Sequence, residues 1–204
     1  MEVANIYLER VASGDLVEAQ LFDGISDVHL TLWQTTWLPA MAEAVQRLER
    51  AGVPKAKWPQ DLHWDWSKKT AHARGFIGLR SFCITVGGHL QGMMQVDCTK
   101  EARLPVQARK PLVYVDFLST APWNRKEIIQ PHEFRGVGRA LLLAAVQLSL
   151  DEEFQGRIGL HSLPQADDFY STKCGMTSVG RDGRYQNLTY FEMTREQAAE
   201  FMLQ

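Results

Sequence analysis

Cysteine is scarce in this sequence: three in 204 residues, Cys83, Cys98 and Cys174. They are scattered, with no C-x-x-C pair and no histidine at zinc-ligand spacing, so neither a disulfide framework nor a metal site is expected. Free thiols in a reducing compartment are the simpler reading. An excess of either charge is also lacking, since 22 Lys+Arg stand against 24 Asp+Glu for a formal net charge of -2. Such a chain offers no electrostatic footprint to a phosphate backbone or an anionic bilayer, so neither nucleic acid nor a membrane is expected as partner. No apolar run approaches the ~20 residues a spanning helix needs. The start Met-Glu-Val-Ala-Asn-Ile lacks the basic and apolar regions of a signal peptide, and a cytoplasmic protein is the expectation. There is no internal repeat, low-complexity tract or Gly/Ser linker, so residues 1–204 read as a single domain.

What is present is ordinary globular composition, 45% hydrophobic and 23% charged, with one imbalance in tryptophan. Trp33, Trp37, Trp58, Trp64 and Trp66 all fall in the first third, which points to an aromatic-walled surface or pocket there. Trp33 and Trp37 stand at helical spacing and read first as core. His63-Trp64-Asp65-Trp66 sits in a loop and reads as a candidate amine pocket, through cation–π and ionic attraction.

Along the chain, Val3 to Phe22 with Ser13-Gly14-Asp15 reads as an irregular strand and turn. Leu30, Trp33, Trp37, Met41, Ala44, Val45 and Leu48 give a helical period that Gly52 and Pro54 stop. Pro39 inside it predicts a break or two consecutive helices. Val53 to Arg74 reads as a loop with one short helix. Ser81 to Val86, the pair Gly87-Gly88 and His89 to Val96 predict a β-hairpin with a primed turn. A third strand spans Leu112 to Ser119. Val137 to Leu150 is helical and apolar nearly all round, so it must be covered on most sides. Arg157 to Leu160 reads as a strand and Gln165 to Lys173 as a short helix. A hairpin around Asp182-Gly183 follows, then a last helix opened by the capping box Thr194-Arg195-Glu196-Gln197. Strands and helices in this order form an α/β sheet with helices on both faces.

Chemistry concentrates where the third strand gives way to the apolar helix. Arg135-Gly136-Val137-Gly138-Arg139-Ala140 puts two glycines at a helix start, where N–H groups have no intrahelical acceptor and the helix dipole is positive. A pyrophosphate needs several converging N–H donors and no bulky side chain in its way, which this turn supplies. A glycine-rich helix start without a ligand is the competing reading. No Gly-Lys-Ser/Thr follows, so this is not a Walker A loop, and the third glycine of the dinucleotide fingerprint is missing.

The turn resembles the GNAT acetyltransferase motif Q/R-x-x-G-x-G/A, matched by Arg135, Gly138 and Ala140. Ala166 to Met176, with Phe169-Tyr170, Lys173 and Gly175-Met176, is similar to that family's second signature. The resemblance runs from about Ser81 to Met193, in the family's order. It implies a GNAT-like mixed, mostly antiparallel sheet with a central splay between two strands and helices on both faces. It further implies acetyl-CoA, or another short acyl-CoA, as co-substrate, with no metal. Amides of Gly136, Val137, Gly138, Arg139 and Ala140, after Arg135, would hold the pyrophosphate. The main chain of Leu118, Ser119 and Thr120 would pair with the pantetheine arm.

By the same resemblance Tyr170 is the general acid for the departing thiolate, against the reading of a core tyrosine. Asp116, one carboxylate on an apolar strand, is the candidate base, against an ion pair with a neighbouring Arg or Lys. The acceptor is an amine of open identity, small molecule or protein, and a homodimer stays open. A catalytically silent acyl-CoA-binding module is the alternative to an enzyme. Two departures from the family pattern stand out. Ala121 to Phe134 is longer than the usual connection and reads as a lid, a wall or a tolerated insertion. His161-Ser162-Leu163-Pro164 replaces the asparagine often found after the penultimate strand, with Ser162 as a substitute.

Overall fold

The computed structural model describes residues 2–204. Nine strands form one mixed sheet in the order β6-β1-β2-β3-β4-β5-β7-β9-β8. The chain divides into two compact units. The first comprises residues up to Gly75, Ser81–Met94 and Leu118–Leu141, and the second Phe76–Arg80, Gln95–Phe117 and Leu142–Gln204.

In the first unit, β1 (Glu2–Arg10) and β2 (Leu16–Asp23) are antiparallel partners, in even register from Glu9↔Leu16 to Ala4↔Leu21 and with a shift between Ala4 and Glu2. Their turn is fixed by Gly14 in the left-handed region and by Arg10 N–H donating to Asp15 O. The segment expected to be an irregular strand and turn is a hairpin with one irregularity near its open end, and its buried residues, Leu8, Ala19 and Leu21, are too few for a clear period-2 signal. Ser26 caps α1 (Asp27–Leu32), and α2 (Leu38–Arg50) follows after a π-helical turn, Trp33–Trp37. The run is two consecutive α-helices joined by that turn, as Pro39 predicts, with the proline in the first turn of the second. Proline cannot donate to the carbonyl four residues back and crowds it, and the turn ahead of it is wound wider, Leu38 N–H donating to Trp33 O. His29, Trp33, Trp37 and Ala44 make the buried stripe. Asp65 caps the short helix α3 (Trp66–Ala73).

Strands β3 (Leu79–Val86) and β4 (His89–Glu101) flank Gly87 and Gly88, both left-handed, as the predicted hairpin requires. Strand β5 (Pro111–Thr120) is followed by the long connection and a two-residue strand, β6 (Phe134–Arg135), which pairs with the end of β1. Helix α4 (Val137–Asp151) has Leu141, Leu142, Ala145, Val146 and Ser149 fully enclosed, as its all-round apolarity predicts.

In the second unit, β7 (Ile158–Ser162) runs parallel to β5 from Val113↔Ile158 to Val115↔Leu160. Beyond that ladder β5 continues to Thr120. The expected helix after β7 is wound as a 3-10 turn, Pro164–Ala166, and a π turn, Phe169–Lys173. Strands β8 (Thr177–Asp182) and β9 (Leu188–Met193) form the last hairpin, and Thr194 caps α5 (Arg195–Leu203) with the predicted reciprocal Gln197 bond. Glu192, fully buried, accepts from Leu104 N–H at 3.0 Å, from the Gln107 amide at 2.8 Å and from Arg103 N–H. A carboxylate buried this deeply is tolerated because donors surround it. Among the described residues, no helix is long and apolar enough to cross a membrane, and no group of three or more His, Cys, Asp or Glu could hold a metal ion.

Candidate functional site

The glycine turn is built as its sequence suggests. Gly136 takes φ +90°, which a side chain would strain, and its carbonyl accepts the first helical bond, from Ala140 N–H at 2.8 Å. The amides of Val137 and Gly138 ahead of that bond have no acceptor within the helix ladder. Arg135 precedes the turn on β6, more than half exposed and ion-paired with Glu9 at 3.0 Å. The position of the helix start depends on Gly92 of β4. A Cβ there would stand 2.7 Å from Val137 Cγ1 and 3.0 Å from Leu141 Cδ1, so only glycine lets α4 approach this closely. Sequence reasoning missed Gly92, although a glycine inside an apolar strand is itself the signal of such an approach.

At the end of β5, Leu118 and Thr120 are half-buried and Ser119 is buried. The Ser119 side chain is committed elsewhere: its hydroxyl donates to Asp61 at 2.8 Å. Asp61 also accepts two bonds from Arg125, both 2.7 Å, and Arg125 Nε donates to Thr120 O at 2.8 Å. Burial alone would raise the Asp61 carboxyl, but the charge and hydrogen bonds of Arg125, with Ser119, carry it below its ordinary value. Trp33, Trp37, Trp64 and Trp66 surround this pair and leave a cavity of only about 30 Å³. The aromatic wall expected of the first third therefore exists, but it encloses an ion pair. The amine pocket read into His63 to Trp66 is corrected: Asp65 accepts from Lys68 N–H at 3.1 Å as a helix cap, and Lys69 lies over Trp64. Asp61, four residues earlier and unmarked in the sequence, is the carboxylate that faces the tryptophans.

The long connection after β5 is a folded wall. Trp123 packs edge-on to Trp37, and its indole N–H donates to Gln91 Oε1 at 2.9 Å. Asn124 donates to the same oxygen and accepts from Phe134 N–H. This wall borders a second cavity of about 620 Å³, with Val86, His89 and Arg10 on its other sides.

In the second unit, Tyr170 lies buried on the π turn, against Phe169 and Phe191. Burial pushes its phenol well above the ordinary value, with the charges of Cys174 and Asp167 adding to it, so the hydroxyl keeps its proton. Asp116 is half-buried on β5, close enough that its charge helps raise both Lys100 and Tyr114. The ion pair of Lys100 is with Asp97, at 3.0 Å. His161, in the segment that replaces the family's asparagine, is central to a side-chain network. Its Nδ1 lies 2.6 Å from Tyr114 Oη and its Nε2 3.2 Å from Asp182 Oδ2, while Tyr185 stacks on it at 4.0 Å. Arg103 closes the network by pairing with Asp182 and covering the Tyr190 ring. Ser162 donates to the adjacent Leu163 carbonyl at 2.9 Å.

No protein-family profile matches the chain, and no curated protein matches it in sequence. Solved structures do. An acetyltransferase of the GNAT family from Listeria monocytogenes 4b F2365 has a TM-score of 0.55 at 11% identity, covering 93% of this chain and 99% of that one. An N-acyl amino acid synthase from uncultured soil microbes has a TM-score of 0.53 at 15% identity, covering 89% and 93%. The GNAT domain of S. lividans PAT has a TM-score of 0.50 at 14% identity, covering 93% and 95%. At such identities the likeness is one of architecture. Nine mostly antiparallel strands, superposing over nearly the whole length of these enzymes, give the chain the fold of the GNAT acetyltransferases.

Proposed function

We propose that the chain is an acyl-CoA-dependent N-acyltransferase that moves an acetyl or other short acyl group to a primary amine by direct attack. The observation that carries the reading is the turn at Gly136: a left-handed glycine, two glycines flanking the first helical residue, and Gly92 admitting the helix start against β4. In this reading the amides of Gly136 to Ala140, beside Arg135, take the acyl-CoA pyrophosphate. The main chain of Leu118, Ser119 and Thr120 pairs with the pantetheine arm.

The chemistry asks for one base and one acid. Asp116 removes a proton from the acceptor ammonium, directly or through a water. The freed nitrogen attacks the thioester carbonyl, the carbon–sulfur bond breaks, Tyr170 donates its proton to the departing thiolate, and the proton that the nitrogen must still lose to become an amide returns to the Tyr170 oxygen through water. Burial keeps the phenol in the protonated form that a donor must have, while also making it a weaker acid.

Acetyl-CoA calorimetry on the full chain tests the reading. The protein should bind acetyl-CoA, and Gly138→Val should weaken it by roughly tenfold or more, since charge-assisted amide bonds to phosphate are among the strong ones. A folded Gly138→Val variant with unchanged affinity, or a wild-type chain that ignores acetyl-CoA, overturns it.

A further inference from the structure

The 620 Å³ cavity in the first unit has no part in the acyl-transfer reading, yet it falls within the roughly 300–1,000 Å³ of small-molecule sites. Its floor is apolar and fixed. Val86 and Phe134 are buried, and the Trp123 indole is pinned to Gln91. Gln91 is 1% exposed and fully engaged: besides Trp123 and Asn124 on Oε1, its amide nitrogen donates to His89 O at 3.2 Å, and its carbonyl accepts from Ala121 N–H at 2.8 Å. Glu133 N–H donates to Trp123 O and Val11 N–H to Glu133 O, which ties the far wall to β1. A wall held this way costs little further ordering when a ligand enters.

The rim carries two exposed charges of opposite sign, Arg10 and Glu133. Among the described residues neither belongs to an ion pair. Arg10 is positioned by the Phe134 ring, 5.5 Å from its centroid, which leaves its in-plane donors for an anion. A purely anionic ligand would meet Glu133, and a purely cationic one would meet Arg10. An uncharged apolar ligand would strip water from both without compensation.

We propose that this cavity binds a zwitterionic α-amino acid with a large apolar side chain, its carboxylate on Arg10, its ammonium on Glu133 and its side chain against Trp123 and Phe134. Calorimetry on the full chain with L-phenylalanine, L-phenylalaninamide and 3-phenylpropanoate decides it. L-Phenylalanine should bind, and the two analogues, each missing one charge, should bind about tenfold or more weakly. Arg10→Gln should erase the preference over the amide, and Glu133→Gln the preference over the propanoate. Both residues are exposed, so neither change endangers the fold. Gly138→Val should leave the L-phenylalanine isotherm unchanged, which separates this site from the phosphate turn. The proposal is overturned if L-phenylalanine fails to bind at millimolar concentration, if all three ligands bind equally, or if both variants keep the wild-type preferences.

Discussion

Two polar networks, one in each unit, solve the same problem differently. Asp61, Arg125 and Ser119 form a closed cluster: the Arg125 and Asp61 side chains are 14% and 11% exposed, both carboxylate oxygens are satisfied, and Arg125 Nε reaches Thr120 O. Tyr114, His161, Asp182 and Arg103 instead form a chain running from a buried phenol to a half-exposed guanidinium. The first holds fixed charges in place over the whole range of ordinary pH. The second contains a histidine that burial holds below its ordinary value, so its proton uptake is coupled to folding. The clamp is scaffold at the end of β5, while the chain is a pH-responsive element.

The largest effect that would break this distinction lies in the clamp. Arg125→Gln leaves the Asp61 carboxylate buried without its countercharge, and an uncompensated buried charge costs about 3–5 kcal/mol. Urea unfolding at neutral pH should show that loss. Restoring much of the stability with Asp61→Asn in the Arg125→Gln background would confirm that the penalty comes from the stranded charge. A single variant as stable as the wild type would mean that water reaches the pair and that it is no scaffold.

What the sequence disclosed and what it hid divide along a similar line. Features set by a residue and its near neighbours were legible: the Gly87-Gly88 turn, the all-round apolarity of α4, the Thr194–Gln197 cap and the glycine turn at Gly136. Each needs only backbone geometry or local side-chain reach. Asp61 and Arg125 are 64 residues apart, and Tyr114 and His161 are 47, so neither pairing leaves a local mark. Asp65 shows the opposite error. A carboxylate between two tryptophans read as a ligand for an amine, while its place just before a helix, three residues from Lys68 N–H, was the stronger signal. The cavity beside Trp123 was hidden because its walls come from β1, the β3–β4 turn and the long connection, which strand β6 and the bonds of Trp123 and Asn124 to Gln91 bring together.

The second network should show its character in the pH dependence of stability. Burial pulls His161 below its ordinary value, more than the Asp182 hydrogen bond pulls it up, with Arg103 also lowering it. The folded state therefore binds fewer protons than the unfolded one as pH falls through the ordinary histidine range near ~6.5. Stability is full above that value and is lost as pH falls through the folded value, with a limiting slope of about 1.4 kcal/mol per pH unit for one proton. Asp182 stays ionised throughout, since the Arg103 hydrogen bond and the Arg184 backbone amide hold it to about 2. His29 is lowered in the same direction, chiefly by burial, so the comparison must be with a variant. His161→Gln should flatten the slope between neutral pH and roughly pH 5 in urea titrations. An unchanged slope would show the chain to be as inert as the clamp.

The smallest expected effect sharpens the assignment within that chain. Ionised Asp182 can only accept, so His161 Nε2 carries the proton and Nδ1 accepts from the Tyr114 hydroxyl. Tyr114→Phe removes that donor while keeping the ring beside Tyr190, and one unsatisfied buried acceptor costs about 1 kcal/mol. Stability alone would not separate this from a trivial packing change, but the histidine itself does. A donor to Nδ1 stabilises the neutral ring, so its loss should move the His161 titration, followed by NMR of the ring protons, to higher pH. With the folded value closer to the ordinary one, the loss of stability on acidification should shrink. A titration that stays put or moves down would mean that the Tyr114 proton is not directed at His161, and that the ring is held by Tyr185 stacking and Asp182 alone.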